Sequence, residues 1–427
     1  MRRLPSGAPI LTAAAMRAGE WASGVAEPEL MQRAGAAVAQ EVARLATGRP
    51  VLVLAGPGKN GGDARIAADW LSTRGHDVTV ASLAEIGGAK PQPVLLDGLF
   101  GTGISRPLDC AGDLQRLATA AELVIALDLP SGLETDAGRS LGAVRADVTV
   151  ALGALKPAHV LGEGVALCGH VLLRDIGVPA AHDWRTIARP ALAAPSAADH
   201  KFARGLVTVI GGVMPGAALL AARAALHGGA GYAVLAGVEG GPDALVHRDV
   251  ETALADERTR ALLIGPGLGR DAAARALLAR ALVSAHPLVL DGDALSLIGH
   301  NLQPRAAPTI LTPHGGEFAR MFSTSGSKIA QSIAAARSSD CTVVHKGADT
   351  VIAHPDGRVT VSAGAPAWLA SAGTGDVLAG LVAARLAACG TPEEAVWLHT
   401  RAAALAGPAL IADMLVDAMP AAVEECL

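Results

Sequence analysis

The stretch SAGTGDVLAG, residues 371–380, decides the fold of the second half of the chain. It places two glycines and Thr374 around Asp376, immediately before an apolar helical pattern. The uncovered backbone N–H groups of such a turn and the positive end of the helix dipole form a site for phosphate oxygens. A carboxylate beside that site can accept a hydroxyl proton, although Thr374 or Asp376 could also serve only as the N-cap of the helix. The surrounding sequence has to decide between the two.

Short apolar runs alternate with polar turns and helical patterns on both sides of this stretch. Four such runs in the second half are residues 206–210, 261–264, 288–291 and 309–312. Continuous apolar runs are typical of strands buried on both faces of a parallel sheet, and ligands of such sheets bind beyond the carboxyl ends of the strands. We therefore expect Gly267, His314, Lys346 and Asp376 to form one nucleotide-and-hydroxyl site.

The first half shows the same alternation. The apolar run at 51–55 leads into the loop GPGKNGGD, residues 56–63, and a helix is predicted from Ala64 to Arg74. Two later runs end on Asp97 and Asp128, each followed by a glycine-containing loop, and residues 147–152 and 165–173 are predicted as further strands. A strand, a glycine loop and a helix can cradle phosphate, although these glycines could also only shape tight turns.

The length, charge and cysteine content of the chain exclude several classes of function. The 427 residues favour two domains, and we predict the Ala- and Pro-rich segment 185–200 as the linker. A net charge of -5 without a basic run argues against a nucleic-acid partner. The five cysteines show no CxxC spacing, and no long apolar segment suggests a membrane span. We expect a cytoplasmic homo-oligomer that acts on a small molecule.

Six motifs follow one another along the chain. They are LMQRAG (30–35), PGA (215–217), GPGLG (265–269), TPH (312–314), KG (346–347) and GTGD (373–376). In these motifs and their order the chain resembles the bifunctional NAD(P)H-hydrate repair proteins. The resemblance implies a Rossmann-like three-layer sandwich over residues 1–190 and a ribokinase-like α/β domain over residues 197–427.

The resemblance also implies an activity. Water added to the nicotinamide ring of NADH or NADPH gives R and S epimers, which the first domain would interconvert. The second domain would dehydrate the S epimer with ADP as phosphoryl donor and Mg²⁺ as cofactor. Phosphorylating the ring hydroxyl first would create a good leaving group, and Asp376 would be the catalytic acid/base.

The matching motifs carry the implied site residues. In the second domain, ADP would contact Lys346, Gly347, Ala348, Asp349, Thr350 and Gly375, and the hydrate would contact Ala217, Gly267, His314 and Asp376. In the first domain, the hydrate would contact Asn60, Gly61, Gly62, Asp63, Gly101, Thr102, Gly103 and the catalytic Asp128, and K⁺ would bind Asn60, Asp97 and Ser131. The chain departs from the family at Lys59, Ala64 and residues 363–368, where the family usually has Asn, Gly and a stretch that includes Asn.

Two alternatives stay open at this point. Ribokinase-like folds share the GTGD turn, so the second domain could be a kinase of a small alcohol or vitamin precursor. The first domain could instead be a non-catalytic binding module, since Lys59 and Ala64 stand where the family has other residues.

Overall fold

The computed structural model describes residues 4–180 and 182–427. Their contacts divide the chain into two compact units, the first ending at Thr186 and the second beginning at Ile187. No helix or strand lies between Thr186 and Leu206. Among the described residues, none of the helices has the length and apolar character needed to cross a bilayer.

A parallel sheet forms the centre of the first unit. Its strands are β1 (Val51–Ala55), β2 (Val78–Ser82), β3 (Val94–Gly98), β4 (Leu123–Leu127), β5 (Val148–Leu152) and β6 (His170–Arg174), and a short β7 (Trp184–Thr186) follows. The six strands are ordered β2-β1-β3-β4-β5-β6. The unit's helices are α1 (Ala13–Ala22), α2 (Glu27–Ala46), α3 (Lys59–Ser72), α4 (Ala111–Ala120) and α5 (Gly164–Leu167).

Helices cover both faces of this sheet. Successive side chains of a strand point to opposite faces, so Val51 and Val53 pack with α2 and α3 in one core. Leu52 and Leu54 pack in a second core with Leu114 of α4. The predicted three-layer sandwich is therefore confirmed. The inner strands β1, β3, β4 and β5 are apolar because both of their faces are covered, whereas the edge strands β2 and β6 are partly exposed.

The second unit has a larger mixed sheet. Its strands are β8 (Leu206–Ile210), β9 (Tyr232–Ala236), β10 (Val246–Arg248), β11 (Thr259–Ile264), β12 (Leu288–Leu290), β13 (Thr309–Leu311), β14 (Thr342–His345), β15 (Asp349–Ala353) and β16 (Val359–Ala363). They are ordered β10-β9-β8-β11-β12-β13-β14-β15-β16. Strands β14, β15 and β16 pair antiparallel, and the others pair parallel.

The helices of the second unit surround this sheet. They are α6 (Pro215–His227), α7 (Val250–Leu254), α8 (Ala272–Val283), α9 (Gly292–Ile298), α10 (Gly315–Met321), α11 (Lys328–Ser339), α12 (Thr374–Ala387), α13 (Pro392–Ala406), α14 (Ala412–Asp417) and α15 (Met419–Glu424). Val207, Val209 and Leu263 share one core with α6 and α12. Helix α12, which begins in the GTGD turn, is buried along most of its length. The central position of α12 explains why it is apolar on nearly all sides.

Two local predictions were wrong. Helix α3 begins at Lys59 rather than Ala64, so Asn60 and Asp63 lie on its first turns and not in a loop. The run 165–173 was predicted as one strand, but it contains α5, a turn with Gly169 at φ 56° and then β6. A short apolar run does not by itself distinguish a strand from a buried helical turn.

Candidate active sites

The GTGD turn of the second unit leaves Asp376 free of any capping role. The N-cap of α12 is Gly373, at φ 86°, and no side chain caps the helix. The hydroxyl of Thr374 instead donates to the carbonyl oxygens of Leu369 (2.7 Å) and Ser371 (2.9 Å). The interpretation of Thr374 or Asp376 as the N-cap was therefore wrong, and the carboxyl of Asp376 lies in the first turn beside the helix amides.

Several acids surround Asp376. Burial raises the pKa of its carboxyl to about 6, and the negative charges of Asp291, Glu317 and Asp293 act in the same direction. The ammonium of Lys346 opposes them. A carboxyl with such a pKa can exchange a proton near neutral pH, as a general acid or base must.

Lys346 forms an ion pair at the centre of this group. Its Nζ lies 2.7 Å from Oδ1 of Asp291, which also accepts a hydrogen bond of 2.7 Å from the hydroxyl of Thr312. Burial alone would lower the pKa of Lys346, but Asp291 and the neighbouring carboxyls raise it. A Cβ on Gly375 would lie 3.4 Å from this ammonium, so the glycine keeps the space between Lys346 and the turn. Lys346 is thus charged and close to Asp376.

The loops predicted to hold the hydrate lie at the same edge of the sheet. His314 is the N-cap of α10: its Nδ1 accepts from the amide of Gly316 (2.9 Å), and its own amide donates to Glu317 (2.9 Å). Gly267, at φ 61°, lies against Met214 and Ala217, and any Cβ there would clash with the carbonyl of Met214. The sequence predicted His314, Gly267 and Ala217, and it missed the capping role of His314.

The predicted nucleotide segment is the hairpin between β14 and β15. The hydroxyl of Thr350 donates to the carbonyl of Gly347 (3.0 Å), which closes the turn. Nζ of Lys328 reaches the same turn and lies 2.7 Å from Oδ1 of Asp349. No sequence motif pointed to Lys328, Asp291 or Glu317 as members of this site. Among these three residues, only Asp291 could have been found from the sequence, because it directly follows an apolar run whose carboxyl end should lie at the ligand site.

A cavity of about 860 Å³ opens at the carboxyl ends of the strands in the first unit. Most of the predicted hydrate contacts line it, namely Asn60, Asp63, Gly101, Thr102, Gly103 and Asp128. Gly61 and Gly62 are not among its lining residues. A Cβ on Gly61 would clash with the carbonyl of Gly56, and one on Gly62 would clash with Met31. These two glycines allow the first turn of α3 to pack closely.

Asp128 is held from several sides. Its backbone has φ 63°, a left-handed conformation that is unusual outside glycine. Its Oδ1 lies 2.5 Å from Nζ of Lys156 and accepts from the amide of Leu152 at 3.1 Å. Lys156 was missed, although a lysine within an apolar segment is rarely buried without a partner.

Asp63 lines the same cavity without such support. Its Oδ1 is buried and has no hydrogen-bond partner in the part of the chain that the structure describes. Burial raises the pKa of this carboxyl to about 7, and the negative charges of Asp128 and Glu20 contribute, whereas Lys59 opposes them. The two acids of this cavity therefore have different environments.

Asp97 and Ser131 lie together behind the cavity. Oδ1 of Asp97 accepts from the hydroxyl of Ser131 (2.6 Å) and Oδ2 from its amide (2.8 Å). Burial raises the pKa of Asp97, whereas these hydrogen bonds lower it. Within the described residues no lysine, arginine or histidine pairs with Asp97. Nδ2 of Asn60, the third predicted K⁺ ligand, is buried without a partner.

Neither departure from the family's loop in the first unit blocks the cavity. Lys59 is exposed, and its Nζ lies 3.1 Å from Oε2 of Glu27. The methyl group of Ala64 is buried in the core, next to the α-carbon of Gly98. The ammonium of Lys59 thus forms an ion pair with Glu27, and the extra methyl group of Ala64 lies in the core.

Comparisons with known proteins cover both halves of the chain. Residues 207–426 match a family model described as NAD(P)H-hydrate dehydratase, and residues 27–90 and 84–158 match one described as YjeF-related protein N-terminus. A bifunctional NAD(P)H-hydrate repair enzyme of Mycobacterium tuberculosis is 35% identical, with 84% of each chain covered. One of Gloeobacter violaceus is 36% identical, with 91% of each chain covered.

Solved structures support the predicted fold of the second half. An ADP/ATP-dependent NAD(P)H-hydrate dehydratase from Bacillus subtilis, co-crystallised with ATP and Mg²⁺, is 29% identical with a TM-score of 0.50, over 56% of this chain and 95% of that one. A ribokinase-like protein from Enterococcus faecalis is 26% identical with a TM-score of 0.50, over 55% and 91%. The ribokinase-like prediction is confirmed.

Proposed function

Because the chain belongs to the family of bifunctional NAD(P)H-hydrate repair enzymes, we propose that its first unit epimerises hydrated NADH and NADPH and that its second unit dehydrates the S epimer with ADP as phosphoryl donor. The relatives named for this repair match over most of their length, and so include counterparts of both units. The name of the Bacillus subtilis enzyme supports the use of ADP or ATP.

The position of Asp376 is the observation that carries the dehydratase proposal. Asp376 lies in the first turn of α12, and burial raises the pKa of its carboxyl to about 6. Asp376 accepts the proton of the ring hydroxyl as the hydroxyl oxygen attacks the terminal phosphorus of ADP and AMP leaves. Phosphate then leaves with the electrons of the C–O bond, the adjacent ring carbon gives up a proton to water, and the electrons of that C–H bond restore the double bond of the dihydronicotinamide.

The surrounding groups bind and orient the two substrates. We propose that Lys346, Gly347, Ala348, Asp349, Thr350 and Gly375 hold the nucleotide and that Ala217, Gly267 and His314 hold the hydrate. The charge of Lys346 and the turn amides would stabilise the transferring phosphoryl group. Within the described residues no three His, Cys, Asp or Glu side chains form a metal site. We therefore propose that Mg²⁺ is held mainly by the phosphates of the nucleotide, as is common for this ion.

The first cavity would hold the hydrate for epimerisation. We propose contacts from Asn60, Asp63, the loop 101–103 and Asp128, all of which line the cavity. Asp97 and Ser131 offer buried oxygen atoms, and no cationic side chain of residues 4–180 or 182–427 pairs with the carboxylate, so the donor set fits K⁺. When bound there, K⁺ would neutralise Asp97 and order the loops at the cavity.

Replacement of Asp376 by Asn tests the dehydratase proposal. We expect Asp376→Asn to reduce the rate of ADP-dependent dehydration by at least about 10²-fold, because the amide cannot accept the hydroxyl proton. The return of the absorbance of the reduced nicotinamide measures the rate. Asp413→Asn is the matched control, because Asp413 also lies in the first turn of a helix but pairs with Arg223 at the surface. Retention of most of the rate in a folded Asp376→Asn variant would exclude the proposed role.

The kinase alternative predicts a different product. A kinase of a small alcohol would leave a stable phosphorylated compound, whereas the repair reaction releases inorganic phosphate and AMP. Quantifying phosphate against recovered NADH therefore separates the two.

A further inference from the structure

The cavity of the first unit contains two carboxyl groups whose surroundings differ. Asp128 lies in an ion pair with Lys156, whose side chain is only 1% exposed. Asp63 lines the same cavity from the first turns of α3, and its buried Oδ1 has no hydrogen-bond partner among the described residues. Two acids with contrasting environments at one cavity are the usual arrangement of a general acid and a general base.

The ammonium of Lys156 has no hydrogen left for a substrate. Its Nζ donates to Oδ1 of Asp128 (2.5 Å) and to the carbonyl oxygens of Leu152 (2.8 Å) and Ala154 (3.1 Å). These are the three donors that a lysine possesses. Lys156 therefore acts on a substrate only through Asp128.

The backbone of Asp128 is also fixed by hydrogen bonds. Nε2 of His159 contacts the carbonyl oxygen of Asp128 at 2.7 Å, and Nδ1 accepts from the amide of Lys156 at 2.8 Å. Since Nδ1 is an acceptor, Nε2 carries the proton and donates to Asp128. This network holds Asp128 at φ 63°, a conformation that costs free energy and persists because the surrounding contacts impose it.

The charges around Asp63 favour its protonated form. Burial has the largest effect on its pKa, and Asp128 and Glu20 add to it, whereas Lys59 opposes it. The other charged groups lining the cavity are Arg17, Glu27 and Lys156. Lys59 pairs with Glu27, and Lys156 pairs with Asp128. Neither cation is therefore paired with Asp63.

We propose that in epimerisation Asp63 is the proton donor, Asp128 is the proton acceptor, and Lys156 is the positioning residue that holds the carboxylate of Asp128. The inference rests on the epimerase function proposed above and specifies how its cavity works.

The two acids complete the reaction without a net loss of protons. Asp128 accepts the proton of the ring hydroxyl, the C–O bond becomes a carbonyl, the bond from that carbon to the ring nitrogen breaks, and the nitrogen takes the proton of Asp63. Rotation about the adjacent C–C bond presents the other face of the aldehyde. The nitrogen then attacks that face and returns its proton to Asp63, while the oxygen regains its proton from Asp128. Each acid ends as it began.

The experiment uses the full chain and separated hydrate epimers, followed chromatographically with a parallel sample lacking protein. We expect Asp63→Asn to lower kcat for epimerisation by about 10²–10⁴-fold with little change in KM, as general acid catalysis predicts. Wild-type kcat/KM should fall as the pH rises through about 7, since Asp63 must carry its proton. Asp69→Asn, an exposed acid on the same helix, should leave both kcat and the pH profile unchanged.

The positioning role of Lys156 is tested by a measurement that a purely structural role would not affect. We expect Lys156→Ala to lower kcat for epimerisation and added ethylamine to restore part of it, because the amine can replace the ammonium beside Asp128. ADP-dependent dehydration of the S epimer by the same variants shows that the second unit stays active. No recovery with ethylamine in a folded variant would remove Lys156 from the proposal.

The outcomes separate this inference from the function on which it rests. Wild-type epimerisation no faster than the sample without protein would contradict the epimerase function itself. Normal wild-type epimerisation with an unaffected Asp63→Asn variant would overturn only the role of Asp63. In water enriched in ¹⁸O, ring opening should retain the original hydroxyl oxygen, and incorporation of one solvent oxygen per turnover would exclude it.

Discussion

At the scale of single residues, the two units handle buried acids differently. In the second unit, Lys346 is paired with Asp291 and also lowers the pKa of Asp376, so one cation affects two acids. In the first unit, Lys156 is paired with Asp128, whereas no cation in the described part of the chain forms an ion pair with Asp63. Both arrangements leave one carboxyl with a pKa near neutrality, at about 6 for Asp376 and about 7 for Asp63.

Replacement of Lys346 by Met should move the pH dependence of dehydration. Asp376 must be ionised to accept a proton, so wild-type kcat/KM should rise as the pH rises through about 6. Without the ammonium of Lys346 the pKa of Asp376 should be higher, and the rise in kcat/KM should shift to higher pH. The KM for ADP should also increase, because Lys346 is a proposed nucleotide contact.

A pH–rate series for wild type and Lys346→Met measures this shift. Arg358→Met is a suitable control because Arg358 forms an exposed ion pair with Asp356. If kcat/KM rises at the same pH in Lys346→Met as in wild type, Lys346 does not influence the pKa of Asp376.

At the scale of elements, close packing of α12 against α6 determines where the GTGD turn lies. The two helices meet at Gly380, where a Cβ would clash with the carbonyl oxygen of Ala221. The contact brings the start of α12 next to Leu220, whose side chain lies against Gly373. The glycine in the apolar pattern of α12 therefore has a packing function, which its position in the sequence alone did not reveal.

Gly380→Ala should destabilise the second unit by about 1–3 kcal/mol, because a methyl group forced against backbone has no rotamer by which to escape. Alanine has the higher helix propensity by about 1 kcal/mol, so a purely local effect would have the opposite sign. Differential scanning calorimetry measures the change.

Gly216→Ala is the matched control for this substitution. Gly216 lies at the start of α6, and nothing lies within 4 Å of the position of a Cβ there. A Gly380→Ala variant that unfolds at or above the temperature of Gly216→Ala would contradict the packing argument.

At the scale of the whole molecule, each unit has its own sheet and its own candidate site beyond the carboxyl ends of parallel strands. The first site lies where β1, β3 and β4 end, and the second where β11, β12 and β13 end. The two units thus follow the same rule for ligand sites in open α/β sheets. We expect the two activities to be separable by mutation within the intact chain.

A mixture of R and S hydrate epimers tests this separation. With ADP, Mg²⁺ and K⁺, the wild-type chain should restore the absorbance of the reduced nicotinamide completely, faster than spontaneous epimerisation permits. Asp128→Asn should give a fast partial recovery, from the S epimer, followed by a slow phase at the spontaneous rate. If wild type itself shows that slow phase, the first unit is a non-catalytic module, as the alternative from the sequence proposed.

Much of the architecture could be predicted from the sequence. The apolar runs located most of the strands, and the glycine turns indicated which loops would lie at the sites, because strand burial and turn geometry depend mainly on neighbouring residues. Local signals were weaker at element ends, and α3 begins five residues earlier than predicted, at Lys59 instead of Ala64. A glycine-rich segment can form the first turn of a helix when close packing favours it, as Gly61 and Gly62 do here.

The sequence by itself determined the fold class, the order of the motifs and the acids Asp128 and Asp376, since each is visible within a few adjacent residues. Only the tertiary structure decided which charges surround those acids. Lys156 lies 28 positions from Asp128, and Lys346 lies 55 positions from Asp291. Such pairs form because burial makes an unpaired charge costly, and the partner is chosen by the path of the folded chain rather than by neighbouring sequence.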